Sequence, residues 1–177
     1  LTFARRGAPI KRPTNLGDLI DKLVAHFTRA ARIDYRIETQ PNLPSIPLDP
    51  AQVRRLLGNL IRNAEQAQPE GGQIVVRVFV PDHAQMFPGE LVTDQNFQPA
   101  GIAIEVQDFG EGILADHLPH IFEPYFSTRK SENATGLGLT VCESIAKAHG
   151  GTITVSSEPG RGTTVRFKPS PTIFTNI

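Results

Sequence analysis

The chain has 177 residues, 39% apolar composition, 18 basic against 18 acidic side chains, and one cysteine. Such a length and composition suit one globular domain with a hydrophobic core, and the cancelled charge leaves no overall basic field for bulk nucleic-acid binding. Cys142 excludes an internal disulfide and leans towards a reducing compartment, no apolar run has membrane-span length, and the opening LTFARRGAPIKRP is not a signal peptide.

That opening also lacks an initiator methionine, so the chain reads as a fragment of something longer. Residues 1–13 hold Arg5, Arg6, Lys11 and Arg12 with two prolines and a glycine, the composition of an extended linker. A nucleic-acid patch is the sharper reading of those charges, but no aromatic beyond Phe3 is interleaved with them. From Thr14 the pattern changes. Leu16, Leu19, Ile20, Leu23, Val24 and Phe27 follow helical spacing, with Thr14 or Asn15 available as N-cap. Ile33, Tyr35 and Ile37 alternate with polar residues as in a half-buried strand, and PNLPSIP reads as a turn-rich connection.

Asp49-Pro50 opens a second helix: aspartate caps, proline suits the first helical position, and Gln52 can close a capping box. Val53, Leu56, Leu57, Leu60, Ile61 and Ala64 form its buried stripe, while Arg54, Arg55, Arg62 and Glu65 face water. Asn59 and Asn63 stack one turn apart on the edge between those faces. On this helix alone two readings stand level: the amides line a cleft, or they cap neighbouring loops. Strands follow over 73–80 and 101–109, separated by a largely polar insertion of no clear period. LADHLPHIFE reads as a short helical segment, LTVCESIAKAH as a helix stopped by Gly150-Gly151, and TITVS and TTVRFK as closing strands. The tail 171–177 carries no signal. Paired strands with helices between them indicate an α+β two-layer sandwich, a mixed sheet covered on one face by helices. Neither common nucleotide motif is present: Ala115 stands where a dinucleotide loop needs its third glycine, and no GxxxxGK run occurs.

Three clusters carry chemistry. DFGEGI, 108–113, sets a carboxylate at a strand end before two glycines that permit close approach; alone, it reads equally as a β-turn. HIFEPYFSTRK, 120–130, offers Phe122, Tyr125 and Phe126 as anchors of a loop whose Arg129 and Lys130 remain for anions. TGLGLTV, 135–141, runs two glycines into a helix N-terminus, an arrangement that receives phosphate.

In this order and spacing, NLIRNAEQA, DFGEGI, IFEPYFSTR and TGLGL resemble the N, first glycine, F and second glycine boxes of the ATP-binding catalytic domain of two-component sensor histidine kinases. That family lies within the superfamily of gyrase, the Hsp90 chaperone and the MutL repair protein, whose fold is called Bergerat-type. The resemblance spans residues 14–168, and FARRGAPIKRPTNLGDLI is most similar to the nitrogen-regulation type. It implies a linker at 1–13, a catalytic domain over 14–170 and a tail beyond. It also implies ATP and Mg²⁺ as ligands, with Asn63 holding the ion and Asn59 facing the same site. Asp108 would bind the adenine amino group, Thr163 would help through water, Gly110 and Gly112 would admit the purine, and Ile113 would cover it. Thr135 stands with Gly136, Leu137, Gly138 and Leu139 at the phosphates, where the last four would present N–H groups. Arg129 would act near the γ-phosphate with Lys130 beside it, so Arg129 and Asn59 are the residues assigned to catalysis.

Two departures from the family pattern bear on mechanism. Ala134 stands where the second glycine box usually has its first glycine, so lid closure is expected to be stiffer. Asn59 stands where ATP-hydrolysing relatives have a glutamate, and an amide cannot serve as that base, which favours transfer over hydrolysis. None of His26, His83, His117, His120 or His149 has the setting of a phosphoacceptor; His117 and His120 lack a third metal ligand, and His149 suits a helix C-cap. The implied partners are therefore an upstream dimerisation domain bearing the acceptor histidine and a response regulator, with no nucleic acid. The fragment is expected to be monomeric and cytoplasmic, and its parent a homodimer that can be membrane-anchored. Two rivals remain: a free-standing serine kinase of the same fold, like the anti-sigma-factor kinases, and a non-catalytic nucleotide-sensing module.

Overall fold

The computed structural model describes residues 8–27, 32–81, 101–128 and 135–170. The element order is β1 (Arg12–Thr14), α1 (Leu16–Phe27), β2 (Ile33–Thr39), β3 (Ile46–Leu48), α2 (Pro50–Gln66), β4 (Gly72–Phe79), β5 (Ala103–Asp108), α3 (Gly138–Ala148), β6 (Thr152–Glu158) and β7 (Gly162–Lys168). The short helical segment expected after β5 is a 3₁₀ turn over Ala115–His120; Pro119 inside it removes a helical donor.

A five-stranded sheet in the order β2-β4-β5-β7-β6 forms one layer. β2 runs parallel to β4 and every other pair is antiparallel, so the sheet is mixed as expected. Its inner face carries rows such as Ile37, Val76, Val106, Val165 and Val155, matched residue for residue across the strands. The three helices cover this face. Ile20 from α1, Val53, Leu56, Leu57 and Ile61 from α2, and Cys142 from α3 are wholly buried against Ile74, Ile104 and Phe167. Burying each large aliphatic side chain contributes about 1.5–3 kcal/mol.

The outer face carries charge at the next residue of each strand. Glu38, Arg77, Glu105 and Arg166 sit side by side across four strands. Arg77 Nε meets Glu38 Oε2 at 2.8 Å, and Arg166 Nε and Nη2 meet Glu105 Oε1 at 2.7 and 2.6 Å. Glu105 and Arg166 are both buried, which requires that pairing.

Several expectations change. Arg12 and Pro13 at the end of the expected linker lie in a strand, because β1 pairs antiparallel with β3; Ile46–Leu48 is likewise a strand inside the expected connection. Thr14 spends its hydroxyl on Arg12 O and Leu48 O, and Asn15 Oδ1 instead accepts from Asp18 N, capping α1. Asp49 caps α2 as expected, Oδ1 accepting from Ala51 N at 3.0 Å and Gln52 N at 3.1 Å. The capping box does not close through Gln52, since Asp49 N donates to His149 Nε2 at 3.1 Å. His149 is the C-cap of α3, with Nδ1 on Ile145 O at 2.9 Å, so one buried imidazole joins the end of α3 to the start of α2. Asp49 Oδ2 also accepts from Ile10 N at 3.0 Å, tying the leading segment to the same junction. Glu65 does not simply face water: Tyr35 Oη donates to its Oε1 at 2.5 Å, fixing β2 to α2. No described helix is long and apolar enough to cross a membrane.

Candidate nucleotide-binding site

A cleft of about 650 Å³ opens between the C-terminal half of α2, the end of β5, the 3₁₀ turn and the start of α3. Its apolar wall includes Leu60 and Ala64 of α2, Val106, Val155 and Val165 of the inner sheet face, and Ile113 of the loop after β5.

Asp108 closes one end. It is the last residue of β5, opposite Ile74 on the inner face, and only 6% exposed. Its Oδ1 accepts from Gly110 N at 3.0 Å and Thr163 N at 3.3 Å, so two main-chain donors orient the carboxylate. The glycines after it answer to packing within the chain. A Cβ on Gly110 would lie 2.3 Å from Ala67 O, and Glu111 N donates to that same carbonyl. Gly112 lies at φ +68, where a Cβ would lie 2.2 Å from Glu158 O. At both glycines the space a side chain would need is filled by main chain, at the end of α2 and at the β6–β7 turn; Gly112 lines the cleft and Gly110 does not.

Ile113 and Thr163 line the cleft together through Ser157. Ser157 Oγ accepts from Ile113 N at 2.8 Å and donates to Gly162 O at 3.0 Å. With that proton spent, Thr163 Oγ1 is the donor across their 2.8 Å contact, and its lone pairs are left for an outside donor.

Asn59 and Asn63 form the opposite end, half-buried on α2. Of the two readings of these amides, the cleft-lining one describes both. Asn59 Nδ2 also makes a long bond, 3.4 Å, to Gly138 O at the first turn of α3. Asn63 Oδ1 lies 3.6 Å from where a Gly138 Cβ would be, so the amide stands beside the helix start. Leu137 is the N-cap of α3 and provides no side-chain hydrogen bond to the first-turn N–H groups beside Asn63. Thr135, Gly136, Gly138 and Leu139 line the cleft; Leu137 does not. Arg129, Lys130 and Ala134 lie outside the described residues, as do residues 82–100 of the insertion and the tail.

The F-box segment is strapped to α3. Thr140 Oγ1 donates to Phe122 O at 3.0 Å and Tyr125 N to Gly136 O at 3.0 Å. Tyr125 adopts φ +67 and is 69% exposed, so it is not the core anchor expected of it; Phe126 lines the cleft instead. Arg62 is exposed yet also borders the cleft. Sequence reasoning passed over Ser157, whose signal was alternation: it continues the inward set Ile153, Val155 and faces Thr163 in register. It also passed over His117 and Thr128 as lining residues, which stand in no periodic pattern.

A family model described as histidine kinase-, DNA gyrase B-, and HSP90-like ATPase matches residues 48–173, a span that includes every element of the cleft. The chain belongs to that family. Sensor histidine kinase ZraS of Escherichia coli (strain K12) is 37% identical over 143 residues, 81% of this chain and 27% of that protein. Sensory histidine kinase/phosphatase NtrB of Rhodobacter capsulatus is 36% identical over 161 residues, 90% of this chain and 44% of that protein. This catalytic domain therefore spans about a quarter to under a half of these relatives. Among solved structures, the catalytic domain of histidine kinase ThkA matches with TM-score 0.70 at 26% identity, covering 91% of this chain and 95% of that one. Full-length ShkA in complex with AMPPNP has the same fold, with TM-score 0.74 at 23% identity over 92% of this chain and 32% of that one. The expected fold class, an α+β sandwich of the sensor-kinase ATP-binding type, is the fold of this domain.

Proposed function

We propose that this domain binds Mg²⁺-ATP in the cleft and transfers the γ-phosphoryl group to a histidine on a separate dimerisation domain of the same polypeptide. The observation that carries the reading is the polarity of the cleft: an oriented carboxylate at one end, and at the other a helix N-terminus without a side-chain cap beside two amides. In this reading Asp108 and the Thr163 hydroxyl accept from the adenine amino group, and Ile113 and Leu60 cover the ring. The first-turn N–H groups of α3 hold phosphate oxygens.

The donor chemistry suits a magnesium ion brought with the nucleotide. Among the described residues no group of three His, Cys, Asp or Glu could hold a metal alone, whereas Asn63 Oδ1 can add one hard oxygen to a shell of phosphates and water. When bound, the ion neutralises charge on the phosphates. Asn59 is a donor to Gly138 O and carries no base, which favours transfer over attack by water. In the transfer, the bond from Pγ to the β,γ-bridging oxygen breaks, a P–N bond forms on the acceptor imidazole, and ADP leaves. Arg129 is assigned to the charge that develops there. The acceptor domain, a response regulator, a dimeric parent and membrane anchorage of that parent belong to the same proposal.

Calorimetric titration tests the site. Asn63→Ala is expected to lose the magnesium-dependent part of ATP affinity while keeping ADP binding in chelator. An Asn63→Ala domain that binds Mg²⁺-ATP as tightly as the unsubstituted one would refute the assignment. Incubated with γ-labelled ATP, the domain alone takes up no label, and addition of the upstream dimerisation domain yields acid-labile phosphohistidine.

A further inference from the structure

We propose that His117 is a nucleotide-contacting residue, a hydrogen-bonding group for the ribose–phosphate part of the ligand. This rests on the nucleotide reading of the cleft and adds a third wall to it.

Four histidines lie among the described residues, and three have ring nitrogens engaged. His26 Nδ1 meets Lys22 O at 2.7 Å, His120 Nδ1 meets Glu123 Oε1 at 2.8 Å, and His149 uses both nitrogens as described above. His117 differs: its backbone N–H bonds Leu114 O, while among the described residues its imidazole has no hydrogen-bond partner. The ring is nonetheless fixed and half-buried. It stands edge-on to Phe126, centroids 5.8 Å apart at 67°, and both side chains line the cleft.

Its position selects the part of the ligand it can reach. The 3₁₀ turn follows directly from the Asp108–Ile113 segment at the purine end, and Phe126 leads into Ser127 and Thr128, which border the cleft towards Thr135 and Gly136. An imidazole between those two ends faces the stretch between purine and terminal phosphates. A neutral imidazole carries one donor and one acceptor, which matches a sugar hydroxyl; its donor alone matches a phosphate oxygen. A packing role would need only the ring edge against Phe126, and that difference can be measured.

Two substitutions separate the roles. His117→Phe keeps an aromatic ring on Phe126 and removes both polar atoms; His117→Gln removes the ring and keeps a donor and an acceptor. With ADP in calorimetry, one lost neutral hydrogen bond weakens binding about fivefold. The expected result is that loss in His117→Phe, affinity within about twofold of the unsubstituted domain in His117→Gln, and no change with adenine alone as probe. Thermal melting of both variants confirms folding. Wild-type ADP affinity in a folded His117→Phe domain overturns the proposal, as does a matching loss with adenine alone. An unsubstituted domain that bound no ADP would overturn the nucleotide reading itself, and Asp108→Ala run alongside distinguishes that failure.

Discussion

Replacing Asp108 by asparagine separates its two roles, because Oδ1 accepts from two main-chain N–H groups while the carboxylate is assigned to the ligand by its chemistry. Oδ1 accepts from Gly110 N and Thr163 N inside a site only 6% exposed. Asp108→Ala leaves both donors without that acceptor, at about 1–3 kcal/mol each, and is expected to cost about 4 kcal/mol of stability. Asp108→Asn keeps an oxygen acceptor for both and loses the charge assistance of these two bonds, about 1 kcal/mol. Binding follows the opposite order of severity. An amide NH₂ turned to an adenine amino group sets donor against donor, removing a charge-assisted bond of about 1.5–3 kcal/mol, or roughly ten- to a hundredfold in affinity. The assay is calorimetric titration with ADP and with ATP, with and without magnesium, beside urea unfolding of each variant. Asp108→Asn is expected to unfold near the wild-type midpoint and to lose both nucleotides equally, whatever the metal. If it binds ADP within about threefold of wild type, Asp108 does not contact the purine.

Asp49→Ala removes the α2 cap and the bond from Ile10, together about 2 kcal/mol, and is expected to lower the melting temperature by about 6 °C. Burial alone raises the Asp49 carboxyl, but hydrogen bonds from Gln52, Ile10 and Ala51 and the nearby His149 outweigh it and hold it below its ordinary 3.8. A carboxyl lowered by folding contributes stability above its unfolded value that is lost as pH falls through the folded one. The stability gap between wild type and Asp49→Asn, read from urea midpoints, should therefore be full at neutral pH and close on acidification below 3.8. Burial pushes the Cys142 thiol up to about 12, against weaker lowering by Asn59 and Arg55, so the native domain should resist iodoacetamide at about pH 8 and react once unfolded. Gly136→Ala, at φ +63 with its Cβ 2.4 Å from the Tyr125 carbonyl carbon, should weaken ATP binding severalfold in titration. Gly160→Ala, at φ +76 with nothing within 4 Å, should leave it unchanged.

What could be read from the chain in advance was whatever local chemistry punctuates. α2 was legible at its buried face and its start because Asp49-Pro50 signals a cap and six aliphatic residues mark one stripe. β1 and β3 were not, since each has three residues with a central proline and finds its partner 34 positions away, with no period to betray it. The Gln52 capping box was chemically sound and lost to a tertiary competitor, an imidazole a hundred residues distant. The glycines at 110 and 112 were recognisable as positions without room for a side chain, but sequence cannot name the neighbour that fills the room, which here is main chain. Tyr125 shows the same limit: aromatic character suggested an anchor, while the left-handed backbone that turns it outward depends on Gly136 across the strap.

The row of alternating charge on the outer sheet face bears on assembly of the domain as much as on its finished state. Slipping β4 past β5 by two residues would keep every aliphatic side chain facing inward, so hydrophobicity alone does not forbid it. The slip would, however, set Glu105 opposite Phe79 or Val75 and Arg77 opposite Gln107 or Ala103, so Glu105 would keep Arg166 on β7 but lose Arg77 on β4. Glu38, Arg77, Glu105 and Arg166 thus add a preference for one alignment to a sheet whose strands run in both directions.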